Sequence, residues 1–118
     1  MPRQKIETVD KPWGMEIIFA RTDKYVGKEI RINAGALLSR QYHRQKDETI
    51  YIVEGPLLLE TGKDPVESIE LAVGESFHVP PGTIHRYIAP KENNCRLIEV
   101  STTELTDVVR LEDRYGRS

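Results

Sequence analysis

Apolar residues in this chain come in short runs, each closed by glycine, proline, asparagine or aspartate. GMEIIFA (14–20), YVGKEIRIN (25–33), TIYIVEG (49–55), PLLLETG (56–62), SFHVP (76–80), IHRYIA (84–89) and CRLIEV (95–100) are rich in Ile, Val, Tyr and Phe. Several alternate with period two, as half-buried strands do: Val26, Ile30 and Ile32 oppose Gly27, Glu29 and Arg31. Breaks fall at NAG (33–35), EGP (54–56), TGKDP (61–65), VGE (73–75) and PPG (80–82). This spacing predicts an all-β sandwich or small barrel. The one helix candidate is STTELTDVV (101–109), which opens on cap-like Ser and Thr but is short. Residues 1–12 read as an N-terminal arm, 108–118 as a C-terminal tail, and TGKDPVES as a mobile hairpin tip.

Composition narrows the picture without changing it. A chain of 118 residues fits one domain, and it buries a core without disulfides or structural zinc. The net charge of −2, with both signs abundant, argues against an electrostatic nucleic-acid binder. Cys95 is alone, so no intrachain disulfide forms. No apolar stretch has the length of a signal peptide core or a bilayer span, so a cytoplasmic protein without membrane contact is expected.

Chemistry concentrates in QYHRQKDETIYIVEG (41–55). On a strand, Gln41 and His43 share a face. The RQKD segment then turns the chain, and Glu48 opens a second strand expected to pair with the first. Three metal-ligand side chains thereby meet at one end of a hairpin. His85 follows the rigid PPG turn, and a strand crossing there brings its imidazole to the same point. Two imidazoles, a carboxylate and an amide oxygen form a borderline N/O set suited to one divalent ion, Zn²⁺ first, with Fe²⁺, Mn²⁺ or Co²⁺ admitted.

The spacing resembles the two motifs of the cupins. Gly35, Gln41, His43, Glu48 and Gly55 fill the first motif, and Gly74, Pro80, Gly82 and His85 the second. Gln41 stands where a histidine is usual, and Ala89 where an asparagine is expected. A Gln, His, Glu, His set resembles the zinc site of mannose-6-phosphate isomerases. KPWG (11–14), INAGALLSRQYH (32–43), IHR (84–86), LIEV (97–100) and VVRLEDRYGR (108–117) are similar to the C-terminal domain of the type II enzymes. The nucleotidyltransferase part fused to that domain has no counterpart in these residues.

The resemblance implies a double-stranded β-helix, or jelly roll, and a metal-dependent isomerase. Such an enzyme interconverts mannose 6-phosphate and fructose 6-phosphate through a metal-stabilised enediolate, with a general base moving the proton. The alternatives are a cupin that binds or isomerises another carbohydrate or small polar metabolite, and an iron-dependent oxygenase. For the base, His78 ranks first, since it shares parity with Ser76 and so either points into the barrel or is a hydrogen-bonded strand residue. Lys46, in the turn beside the ligands, ranks second. Arg86, next to a ligand, should point away from it. Glu99 interrupts an apolar strand, so it either lines the cavity or faces solvent. Arg40 and Arg114 are the expected anchors of a phosphorylated sugar, with Arg110 and Arg117 also available. Trp13 should seat the arm on the barrel or on a partner subunit, and a homodimer is expected.

Overall fold

The computed structural model describes residues 2–117 and, within them, contains strands and turns but no helix. Accordingly, no helix among the described residues is long and apolar enough to cross a membrane. Eleven strands run in chain order: β1 (Glu7–Lys11), β2 (Gly14–Arg21), β3 (Val26–Ile32), β4 (Arg40–Tyr42), β5 (Glu48–Glu54), β6 (Leu57–Thr61), β7 (Glu67–Leu71), β8 (Ser76–Val79), β9 (His85–Ile88), β10 (Cys95–Ser101) and β11 (Val109–Glu112). They form a six-stranded sheet, β1-β2-β3-β10-β5-β8, and a five-stranded sheet, β11-β4-β9-β6-β7. All the pairings are antiparallel, so this is an all-β jelly roll.

The alternation along each strand decides what lies between the sheets. Ile30 and Ile32 of β3, Ile50 and Ile52 of β5, Leu57 and Leu59 of β6, and Leu97 of β10 are essentially inaccessible. Together with Trp13, Leu38, Leu71, Tyr87, Ala89 and Cys95 they make one contiguous core. Fully burying each aliphatic side chain contributes about 1.5–3 kcal/mol. Trp13 is 2% exposed, so it packs in this barrel.

Several local expectations need correction. The stretch read as an N-terminal arm contains β1, paired with β2 from Glu7↔Ile18 to Lys11↔Gly14. The C-terminal tail contains β11, paired with β4. Between the end of β10 and the start of β11, STTELTDVV forms turns: Leu105 N–H bonds to Thr103 O and Val108 N–H to Thr106 O. Its threonines and valines are weak helix formers, and the Asp107 side chain is committed to the backbone of residues 44–46. The segment TGKDPVES does connect a hairpin, β6 to β7.

The most consequential correction concerns the ligand hairpin. β4 pairs with β9 and β11, whereas β5 pairs with β10 and β8 in the other sheet. Residues 43–47 therefore carry the chain from one sheet to the other rather than closing a two-stranded turn.

Candidate metal centre

That crossing lets candidate ligand residues come from both sheets. Gln41 lies on β4 directly opposite His85 on β9. His43 follows β4 and Glu48 opens β5. The turn holding His85 is tied to the first motif by Gly82, whose N–H bonds to His43 O at 2.7 Å. Gly82 has φ +82°, a left-handed conformation that glycine adopts without cost.

His43, Glu48 and His85 are buried, and their ligand atoms lie within 4.8 Å of one another. Glu48 Oε1 is 3.3 Å from both His43 Nε2 and His85 Nε2. His43 Nδ1 is hydrogen-bonded to Asp107 O, and His85 Nδ1 to Thr83 O at 2.8 Å. A carbonyl only accepts, so each Nδ1 carries the proton, and in the neutral ring Nε2 presents a lone pair. Those Nε2 atoms and both Glu48 oxygens are buried with no hydrogen-bond partner of good geometry among the described residues.

Three acceptors facing one another repel unless a positive charge sits between them. Either an extra proton on each ring or one divalent cation resolves this, and the cation does so as a single species. Separations of 3.3 Å match the edge of a tetrahedron of roughly 3.3–3.4 Å around a zinc-sized ion with bonds of ~2.05 Å. The residues present therefore fit a divalent metal. Gln41 borders the same cavity, and its Oε1 accepts from Ser39 Oγ at 2.5 Å.

Beside the ligands runs a chain of alternating charges. Lys46 Nζ lies 3.2 Å from Glu48 Oε2 and 3.1 Å from Glu99 Oε2. Lys28 Nζ lies 3.6 Å from Glu99 Oε2 and 3.3 Å from Glu16 Oε1. Burial pushes the Glu99 carboxyl up, and the neighbouring Glu48 pushes it further, to about 7, against the opposing lysine charges. Burial also opposes ionisation of Glu48, but contacts with Glu99, His43 and His85 and the Lys46 charge outweigh it, and Glu48 is held far below the usual carboxylate range. Burial alone would lower the Lys46 pKa; the charges of Glu99 and Glu48 raise it instead.

The cavity here measures about 90 Å³. Trp13, Ile30, Leu38 and Tyr87 form its apolar wall, and Leu105 and Val108 of the β10–β11 loop also line it. Three partly exposed cations, Lys11, Arg110 and Arg117, border it too.

Some expected site residues lie elsewhere. His78 is on the outer surface, its side chain 59% exposed and its Nε2 2.7 Å from Asp47 Oδ1. β8 presents Phe77 and Val79 to the interior, which turns His78 outward. Arg40 is also outside the cavity. Strand alternation sends it opposite to Gln41, where it pairs with Glu60 at 2.8 Å and Glu112 at 3.0 Å. Arg114 bonds to Gly35 O and does not line the cavity. Arg86 points away from the ligands to Leu38 O. Lys46 does border the centre, buried between two carboxylates rather than solvated.

Sequence reasoning passed over Glu16, Lys28, Tyr87 and Asp107 as site residues. Lys28 shares parity with Val26 and Ile30, and Tyr87 with His85, so alternation carried a signal for both. Nothing local marks Asp107. Its carbonyl accepts from His43, and its carboxylate accepts from the N–H groups of Arg44, Gln45 and Lys46. Those bonds hold its pKa below the ordinary aspartate value.

Comparison with known proteins places the fold and the family. Xanthan biosynthesis protein XanB of Xanthomonas campestris pv. campestris is 32% identical over 93% of this chain and 24% of its own length. Mannose-1-phosphate guanylyltransferase of Escherichia coli is 35% identical over 92% of this chain and 23% of its own. The chain thus spans about a quarter of the length of these curated relatives. The capsular polysaccharide assembling protein CapF from Staphylococcus aureus shares the fold, with a TM-score of 0.80 at 16% identity over 92% of this chain and 34% of that one. Residues 28–101 match the model of the Cupin domain, which spans both ligand motifs, and the chain belongs to the cupin family.

Proposed function

We propose that this cupin is a metal-dependent sugar-phosphate isomerase that interconverts mannose 6-phosphate and fructose 6-phosphate. The observation that carries the reading is the contact between the His43–Glu48–His85 cluster and the buried Lys46–Glu99 pair, with His43, Lys46 and Glu99 lining one cavity. Similarity to a mannose-1-phosphate guanylyltransferase supports a carbohydrate ligand.

His43, Glu48 and His85, with Gln41 as the fourth ligand, would hold the metal, zinc by preference. When bound, it supplies Lewis-acid polarisation of a carbonyl and its neighbouring hydroxyl. Glu99, buried at the cavity wall beside the cluster, takes the proton from the carbon beside the carbonyl and returns it to the former carbonyl carbon, while the hydroxyl proton passes to the former carbonyl oxygen. Lys46 holds Glu99 in place through their 3.1 Å contact. Trp13, Leu38 and Tyr87 keep water from the reacting end. A cavity of about 90 Å³ is small beside the usual ligand pocket of roughly 300 Å³ or more, so one end of the sugar enters and the phosphate stays outside. Lys11, Arg110 and Arg117 meet the phosphate there.

The test is zinc-loaded protein with mannose 6-phosphate and a coupled assay for fructose 6-phosphate. Turnover lost on chelation and restored by zinc is expected. A metal-loaded protein with no turnover would shift the reading to a cupin that binds a different carbohydrate.

A further inference from the structure

Tyr87 is used by neither the metal cluster nor the charge chain. Its place follows from β9, where His85 and Tyr87 alternate inward, as Ala89 does just past the strand. The residue is 2% exposed, lines the cavity, and sets its ring 5.4 Å from that of His85 at 46°. Its hydroxyl is buried and has no hydrogen-bond partner among the described residues. Ile30, Leu38 and Trp13 share that wall and offer no oxygen side chain. Leaving a buried hydroxyl unpaired is costly, whereas phenylalanine would fill the same space without the cost. The phenol is also one of few neutral donors in a cavity whose acceptor oxygens come from Glu16, Gln41 and Glu99.

We infer that the Tyr87 hydroxyl contacts the ligand, donating a hydrogen bond to an oxygen of a small, oxygen-rich molecule held beside His43, Glu48 and His85. The inference rests on the reading that this cavity takes a ligand at the metal centre, but it does not require isomerase turnover. A carbonyl or hydroxyl oxygen suits the phenol; an apolar analogue leaves it unpaired and is rejected.

Acetohydroxamate is a suitable probe, since it carries two adjacent oxygens and is small. Cobalt-loaded wild type and Tyr87→Phe would be titrated with it and followed by the visible spectrum of the metal. Melting temperatures of both metal-free proteins would be recorded alongside. The expected result is affinity at least tenfold weaker in Tyr87→Phe, with a melting temperature equal to or above that of wild type. Equal affinity overturns the inference, as does a wild type that binds no cobalt or no hydroxamate. A clear fall in melting temperature also overturns it, because it would show that the hydroxyl bonds within the protein. If the affinity difference appears while wild type leaves mannose 6-phosphate unchanged, the isomerase reading fails and this inference stands.

Discussion

At the scale of single residues, the centre is defined by which atoms carry protons. Because Asp107 O and Thr83 O each engage an Nδ1, the two Nε2 atoms form one binding point, and replacing both rings removes it. The double variant His43→Ala with His85→Ala is expected to lose stoichiometric zinc, read as metal content after dialysis; metal retained would place the site elsewhere. Glu99 gives a prediction in pH. Its folded pKa of about 7 lies above the ordinary value of 4.5, so the folded metal-free protein binds its proton more tightly than the unfolded chain. That contribution is complete below about pH 4.5 and disappears as pH rises through 7. Thermal melts of the metal-free protein should show Glu99→Gln flattening the loss of stability across that window. An unchanged profile would mean Glu99 titrates normally. The clustering of His43, Glu48 and His85 is legible in the sequence, because they stand at motif spacing. The lysines and acids around it were harder to read. A single polar residue in an apolar strand, such as Glu99, looks the same whether it faces a cavity or solvent.

At the scale of elements, the decisive feature is the passage from β4 to β5. Short apolar runs mark strands well, but they do not say which sheet a strand joins, and a tight hairpin and a crossover read alike over residues 43–47. Edge strands are also poorly marked. β7 (ESIEL) buries little beyond Leu71 and has the charged composition that protects sheet edges. The clamp by Asp107 spans more than sixty positions of sequence, and no local pattern announces it. Groups that orient a metal ligand typically set affinity by 10–100-fold. Asp107→Ala frees the 44–46 backbone and loosens the loop whose carbonyl holds His43. A drop of about tenfold in zinc affinity is expected by competition with a chromophoric chelator, with the circular dichroism of the β fold retained. Unaltered affinity would reduce Asp107 to a loop fastener.

At the scale of the whole molecule, both terminal regions close on one cavity. Lys11 and Trp13 arrive from the β1–β2 hairpin, and Arg110 and Arg117 from the last strand and the segment after it. Arg117 is braced by Asp113 at 3.0 Å, which holds it against the barrel. Deleting residues 114–118 is expected to raise KM for mannose 6-phosphate severalfold while leaving zinc content intact; an unchanged KM would remove the tail from phosphate binding. The placement of the candidate ligands has a mechanical consequence as well. Gln41 and His85 belong to the five-stranded sheet and Glu48 to the six-stranded one, so an ion held by all of them rivets two leaves that otherwise meet through side-chain packing. A ligand bound only by the folded form adds about 4 kcal/mol when its free concentration is a thousand times Kd. Zinc should therefore slow amide exchange in β5 and β9 together, as the opening of the leaves becomes a single guarded event.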